Sequence, residues 1–141
     1  MMKKILIFLL FIPIFAFSGL NIIKVNKMLT QLKSAKELKF YNANRQIALT
    51  GKLHFTSMED ADIILFSDKK NSNKMTIVNS YKALRSNKNS IGAIYLKKGR
   101  TQIIFIKERL KSHKISLSSN FEQHLLSECQ LNPLCLLSLI K

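Results

Sequence analysis

The sequence is poor in several residue types that catalytic motifs require. Its 141 residues include no tryptophan, two cysteines, two prolines and four glycines. Neither a GxGxxG pattern nor a Walker loop occurs, and the GxSxG pattern of serine hydrolases is missing as well. The three histidines, His54, His113 and His124, are scattered without HExxH spacing. These absences argue against the common catalytic classes, and we expect neither enzymatic activity nor a cofactor.

Acidic residues are also scarce. There are 8 Asp and Glu against 23 Lys and Arg, which gives a formal net charge of +15. Such a charge predicts an anionic partner: an acidic protein face, an anionic membrane surface or nucleic acid. Nucleic acid is disfavoured, because most of these cations are lysine and few aromatic side chains are present to stack on bases. The charge alone is better explained by compositional drift in an AT-rich genome, without any binding role, and an acidic partner or membrane surface comes second.

The N-terminus has the layout of a secretory signal peptide. Lys3 and Lys4 precede an apolar run over 5–17, and Ala16-Phe17-Ser18 offers small residues at a cleavage site. The run is shorter than the roughly 20 residues that span a bilayer. We therefore predict a signal peptide over 1–18, a single mature domain over 19–141, and a periplasmic location.

An uncleaved anchor is the alternative, because Leu20, Ile22 and Ile23 extend the apolar character of the segment. Residue 19 is glycine rather than cysteine, which disfavours a lipid-anchored lipoprotein.

The hydrophobic pattern of the mature chain predicts a small α/β domain. Apolar residues at three- and four-residue steps indicate a helix over 21–38, packed on a sheet or lying on an anionic membrane. Period-two or continuous apolar runs indicate strands, with a short helix after Ser80 and a tight turn over 97–100. The strand segments are 46–55, 61–66, 75–78, 91–96 and 101–106. The first is either one strand with a weak or bulged centre at Gly51 or two short strands. The expected architecture is a three-layer-like mixed sheet, with parallel strands and a β-hairpin in the C-terminal half, flanked by helices.

The C-terminal segment combines a helix start with two cysteines. Ser119 and Glu122 match a capping box, which predicts a helix carrying Phe121, Leu125 and Cys129 on one face. Asn132-Pro133 breaks that helix before Cys135 and favours a turn. A Cys129–Cys135 disulfide is expected in an oxidising compartment; free thiols and a metal site with His124 are the alternatives.

Polar residues at strand ends are the candidate binding site. Ser67 follows one predicted strand, and Asn79 and Ser80 follow the next. Open α/β sheets bind ligands beyond the carboxyl ends of their strands, so a small ligand at Ser67, Asn79 and Ser80 is a hypothesis. The carboxylates of Glu59, Asp60 and Asp62 form a solvated turn or, alternatively, an acid–base pair.

Short patterns in the second half resemble the YfiR-like family of small periplasmic proteins. The resemblance covers roughly residues 61–126 and begins with the strands at 61–66 and 75–78. The later segments that carry it are Ile91-Gly92-Ala93-Ile94-Tyr95-Leu96, Ile104-Phe105-Ile106, Leu110, Ile115-Ser116-Leu117-Ser118 and Leu125-Leu126. The resemblance implies an α/β domain akin to part of a periplasmic solute-binding protein. It also implies a non-catalytic role, in which the protein restrains the periplasmic part of an inner-membrane cyclic-di-GMP synthase.

The leading hypothesis is thus an exported, non-catalytic protein that binds and regulates an inner-membrane signalling protein. An anionic membrane surface is a second possible contact, and nucleic acid is not expected. The alternative function is a periplasmic domain that binds a small solute at its strand ends.

Overall fold

The computed structural model describes residues 19–49, 51–67, 73–132 and 134–135. The predicted signal peptide, most of the polar loop between the strands at 61–66 and 75–78, Pro133 and the apolar tail after Cys135 lie outside the described residues.

Short strands and four short α-helices alternate along the described chain. The strands are β1 (Leu32–Lys33), β2 (Lys39–Asn42), β3 (His54–Phe55), β4 (Ile63–Leu65), β5 (Met75–Val78), β6 (Ser90–Lys97), β7 (Arg100–Ile106), β8 (Ser116–Leu117) and β9 (Leu125–Leu126). The helices are α1 (Ile22–Thr30), α2 (Tyr81–Ser86), α3 (Lys107–Ser112) and α4 (Glu128–Leu131), and a 3-10 helix spans Ser119–His124.

Within the described ranges, seven strands form one mixed sheet in the order β3-β2-β4-β5-β6-β7-β9. The pairs from β3 to β6 are parallel, β6 and β7 form an antiparallel hairpin, and β9 returns parallel to β7. β1 and β8 form a separate antiparallel pair. This confirms the predicted α/β class, the parallel connection from β5 through α2 to β6, and the hairpin.

Helices cover both faces of the sheet. On one face α1 buries Val25, Met28 and Leu29 against a cluster that includes Ile63, Ile77 and Phe105. On the other face Leu84 of α2 and Leu131 of α4 pack with three strand residues, Val78, Ala93 and Ile106. The strands between these layers are buried on both sides, which explains why 61–66 and 75–78 are largely apolar.

Gly92 is required by close packing across the hairpin. It lies directly opposite Phe105 in the β6–β7 register, and the Phe105 ring is fully buried. A Cβ built on Gly92 would lie 2.6 Å from the Ile104 carbonyl oxygen and 2.6 Å from Cδ1 of Phe105. The missing side chain therefore makes room for the aromatic ring at the centre of the sheet.

The predicted helix over 21–38 is wrong in its second half. α1 ends at Thr30, and Leu32–Lys33 pairs instead with Ser116–Leu117. Leu32 and Leu38 remain buried although neither is helical. Their apolar spacing therefore reflects burial, while tertiary strand pairing overrides the helical period. The first half of the predicted helix, which is α1, packs on the sheet. This was one of the two predicted arrangements, the other being contact with an anionic membrane.

The predicted strand over 46–55 is also wrong for most of its length. Within that segment the described strand is β3, His54–Phe55. Upstream, the Asn42 amide donates to the Ile47 carbonyl at 2.7 Å, and Oδ1 of Asn44 accepts from the Gln46 amide at 3.0 Å. These local side-chain bonds offer the backbone an alternative to a sheet ladder and hold a loop.

The capping box predicted at Ser119 is not formed. A 3-10 helix without a side-chain cap occupies Ser119–His124, and the next two residues join the sheet as β9. The box lies instead at Ser127, whose side chain accepts from the Gln130 amide while the Gln130 side chain accepts from the Ser127 amide. The S-x-x-Q pattern at 127–130 carries the same sequence signal as the one at 119–122.

Candidate functional site

The topology of the sheet changes direction between β2 and β4. The chain leaves β2 toward β3 at one edge, then crosses back over β2 to β4 and proceeds through β5 and β6 in the other direction. In open α/β sheets, ligands bind at the carboxyl ends of the strands next to such a switch point. The carboxyl ends of β2, β4 and β5 are therefore the place to look for a small-molecule site.

A small cleft does open at these strand ends. Its volume is about 200 Å³, below the usual range for drug-sized ligands. The polar residues on its wall are Asn44 after β2, Asn79 after β5 and Tyr95 of β6. The apolar residues are Leu20, Ile47, Phe66, Ile94 and Leu96. A mainly apolar cleft with two asparagine residues on its wall is suited to a small uncharged or weakly polar molecule.

The three residues predicted for ligand binding play different parts. Asn79 is exposed and lines the cleft. Ser80 is the N-cap of α2, and its hydroxyl accepts from the Ala83 amide at 3.0 Å. Ser67 is half-buried two residues beyond β4 and is not among the lining residues of the cleft. The structure adds Asn44, which follows β2 and could have been found from the Asn42-Ala43-Asn44 sequence had β2 been predicted.

Tyr95 contributes to the cleft wall from β6, while its side chain packs with Val78, Leu84, Ala93 and Ile106 on the other face of the sheet. Burial raises the pKa of its phenol, and the neighbouring Tyr81 hydroxyl raises that pKa further. The phenol therefore keeps its proton at neutral pH and can donate a hydrogen bond.

The acidic residues near β4 lie at the other end of the strand. Asp62 comes just before β4 and binds Nζ of Lys36 and the Lys39 amide, each at 2.9 Å. Burial alone would raise the pKa of Asp62, but the bonds from Lys36 and Lys39 outweigh burial, so the pKa lies below its ordinary value. Asp60 accepts from the Ser57 hydroxyl at 3.2 Å, as expected for a turn. Asp62 thus links the segment from Lys36 to Lys39 to the residue that precedes β4.

The two cysteines are joined in a disulfide, as predicted. Their Cα atoms lie 5.2 Å apart, and neither thiol is free. Asn132 forms the turn between them, since its carbonyl accepts from the Cys135 amide and its side chain accepts from the Leu134 amide. The disulfide joins Cys129, within α4, to Cys135 beyond it, and α4 is the helix capped by Ser127 and not a helix starting at Ser119. Among the described residues no His, Cys, Asp and Glu cluster could hold a metal.

A buried arginine, which the sequence did not single out, holds this end of the domain together. Arg109 of α3 is 7% exposed, and its Nη1 donates to the carbonyls of Leu84, Asn87 and Ser90 at 2.8–3.1 Å. Its Nε lies 2.5 Å from Oε1 of Glu128, at the start of α4. Five donors in a fixed fork suit arginine to this task, in which one side chain joins α2, β6 and α4.

The described surface is dominated by lysine. Lys24 and Lys27 on α1, Lys82 on α2, and Lys97 and Lys98 at the hairpin turn are all exposed. With 23 basic and 8 acidic residues, most cations have no carboxylate of their own chain to neutralise them. The surface therefore carries an excess of positive charge, which attracts anions in general.

Comparison with known proteins gave no match to a family model, a curated protein or a solved structure. The resemblance to the YfiR-like family therefore stays a prediction. In the ranges that the structure describes, no helix is long and apolar enough to cross a membrane.

Proposed function

We propose that the chain is an exported, non-catalytic protein that binds and regulates an acidic partner protein. The observation that carries the proposal is the excess of 21 basic over 8 acidic residues after position 18, part of which is displayed as exposed lysine on α1, α2 and the hairpin. Lysine is a flexible point charge, which suits an acidic protein face better than it suits planar, bidentate phosphate recognition. Electrostatic complementarity of this kind raises the association rate and the specificity of protein pairs.

Two features support export. The first eighteen residues have the three-part layout of a signal peptide. The Cys129–Cys135 disulfide is compatible with an oxidising compartment, where such bonds persist. A periplasmic location would give the chain access to the periplasmic domains of inner-membrane proteins.

The class of the partner comes from the resemblance. YfiR-like proteins act on the periplasmic part of an inner-membrane cyclic-di-GMP synthase, so the proposed partner is an inner-membrane signalling protein with an acidic periplasmic domain. An anionic lipid surface is the competing contact for the same positive field.

Chemical crosslinking in the native host tests the proposal. The tagged chain is exported, crosslinked in whole cells and purified, and the attached proteins are identified by mass spectrometry. We expect an inner-membrane protein with an acidic periplasmic domain, and its yield without crosslinker should fall as salt rises. A matched chain lacking residues 1–18 should not capture it. Equal capture by both chains, or recovery of lipid alone, would contradict the proposal.

The cleft at the strand ends supports a second candidate, a domain that binds a small solute. A bound solute raises the melting temperature in a concentration-dependent way. A panel of small uncharged metabolites should then include one that stabilises the wild type but not Asn79→Ala. The matched control is Asn89→Ala, since Asn89 is exposed and does not line the cleft.

A further inference from the structure

A groove beside α3 combines an apolar floor with a row of lysines. Its volume is about 360 Å³, within the range of ligand-binding grooves. Leu110 and Ile115, which are 3% and 5% exposed, lie at its base together with the half-buried Leu117 and Leu125. We call this feature the α3 groove.

The α3 groove exists because the strands that flank it belong to different sheets. Leu117 lies in β8, which pairs with β1, and Leu125 lies in β9, which pairs with β7. Since β8 and β9 do not pair with each other, the gap between them is left open beside α3. Leu117 and Leu125, which border the gap, are thereby partly exposed to solvent.

The rim of the groove is cationic along its length. Lys107 and Lys111 stand four residues apart on α3 and share one face, about 6 Å apart along the axis. Lys114 extends the row just beyond the helix, and all three lysines are exposed. None of the lining residues is acidic. Glu108 is on the same helix, but its carboxylate accepts from the Glu128 amide of α4 at 2.9 Å.

We infer that the α3 groove docks an acidic amphipathic segment of the partner protein. The inference rests on the proposed function and names the surface that performs it. Apolar side chains of the segment contact Leu117 and Leu125, and carboxylates along its flank meet Lys107, Lys111 and Lys114. Burial of the apolar side supplies affinity, and the lysine row sets orientation and association rate.

The distribution of charge selects this occupant over other anions. A fatty acid carries one charge at one end and would use one lysine, whereas here three cations follow the groove. A bilayer surface is flat and cannot enter the concavity to contact Leu117 and Leu125. A segment with repeated carboxylates beside repeated apolar residues matches both the row of three lysines and the apolar floor of the α3 groove.

Selection from a displayed library of random linear peptides tests the inference with the purified, disulfide-bonded chain. We expect enriched peptides to combine Asp or Glu with apolar residues. Lys107→Glu with Lys111→Glu should weaken their binding roughly tenfold or more, because attraction becomes repulsion. The matched control, Lys97→Glu with Lys98→Glu at the hairpin turn, makes the same change in net charge and should have a much smaller effect.

A second, steric variant removes no charge and no core contact. Ser116 is exposed and lines the groove, so Ser116→Trp should block binding, while Ser119→Trp, outside the lining, should not. Thermal unfolding verifies that each variant is folded.

Failure to enrich any peptide, or equal weakening by both lysine pairs, would overturn the inference. So would groove-dependent binding of phosphatidylserine vesicles or laurate in place of peptides. The selection requires neither export nor a known partner, so it can fail while the proposed function stands. Conversely, regulation in cells that survives Ser116→Trp and the charge reversal at Lys107 and Lys111 would leave the function intact and eliminate the groove.

Discussion

The packing of Gly92 against Phe105 makes a quantitative prediction about the centre of the sheet. In Gly92→Ala, the new methyl carbon would lie 2.6 Å from both the Ile104 oxygen and Phe105 Cδ1, where ordinary contact begins at 3.4 Å. The ring is fully buried and the oxygen belongs to the hairpin, so neither can retreat cheaply. Overpacking of this kind costs about 1–3 kcal/mol, and we expect the upper end.

The partner substitution tests the cause of that cost. Phe105→Ala alone should destabilise the domain by about 3–5 kcal/mol through the cavity it leaves. In the double variant the methyl group added at Gly92 no longer meets a ring and fills part of the cavity. The double variant should therefore lose less stability than the sum of the single variants, by about 1 kcal/mol or more.

Urea unfolding followed by circular dichroism, with the disulfide intact, measures all four proteins of this cycle. The reasoning is refuted if Gly92→Ala is neutral, or if the two losses simply add. Additivity would mean that the clash is with the carbonyl oxygen alone.

Three further predictions concern charges and the disulfide. The lowered pKa of Asp62 means that its ionised form stabilises the fold above about pH 4, and that this contribution disappears as the pH falls through the folded-state pKa. Urea unfolding across acidic pH should therefore show that the free energy of unfolding falls less steeply for Asp62→Asn than for the wild type. Parallel pH dependences for the two proteins would contradict this prediction. Glu128→Gln should lower the free energy of unfolding by about 1–2 kcal/mol, less than the loss of a fully buried ion pair, because the Glu128 side chain is 45% exposed. Arg109→Met should cost more, because it also leaves three carbonyls without their donor. Equal costs for the two variants would be inconsistent with this geometry. Thiol counting on denatured, unreduced periplasmic protein should find no free thiol, and two per chain would eliminate the disulfide.

Sequence patterns predicted the centre of the sheet because burial on both faces leaves a clear signal. The runs at 61–66 and 75–78 are largely apolar, and Lys97 to Arg100 supplies a short turn between two strands. The disulfide also followed from local information, since the cysteines are six positions apart with a turn at Asn132 between them.

The remaining elements depend on partners far away in sequence. Leu32 is in a strand and not in α1 because its backbone pairs with Leu117 of β8. Leu125 is likewise in a strand because it pairs with Phe105 of β7. No local pattern encodes those pairings. The same dependence on distant partners limits prediction of the candidate site. Asn79 could be predicted because it directly follows its own strand, whereas Asn44 could be found only once β2 was known. The role of Arg109 depends on three elements that meet only in the folded domain.

The level of cyclic-di-GMP in the native host tests the central claim most directly. Cells lacking the gene are compared with cells that express the exported chain and with cells that express a chain without residues 1–18. A periplasmic regulator that restrains its partner predicts a higher level in the deletion, restored by the exported chain and not by the retained one. An unchanged level in the deletion, or equal restoration by both chains, would contradict the account.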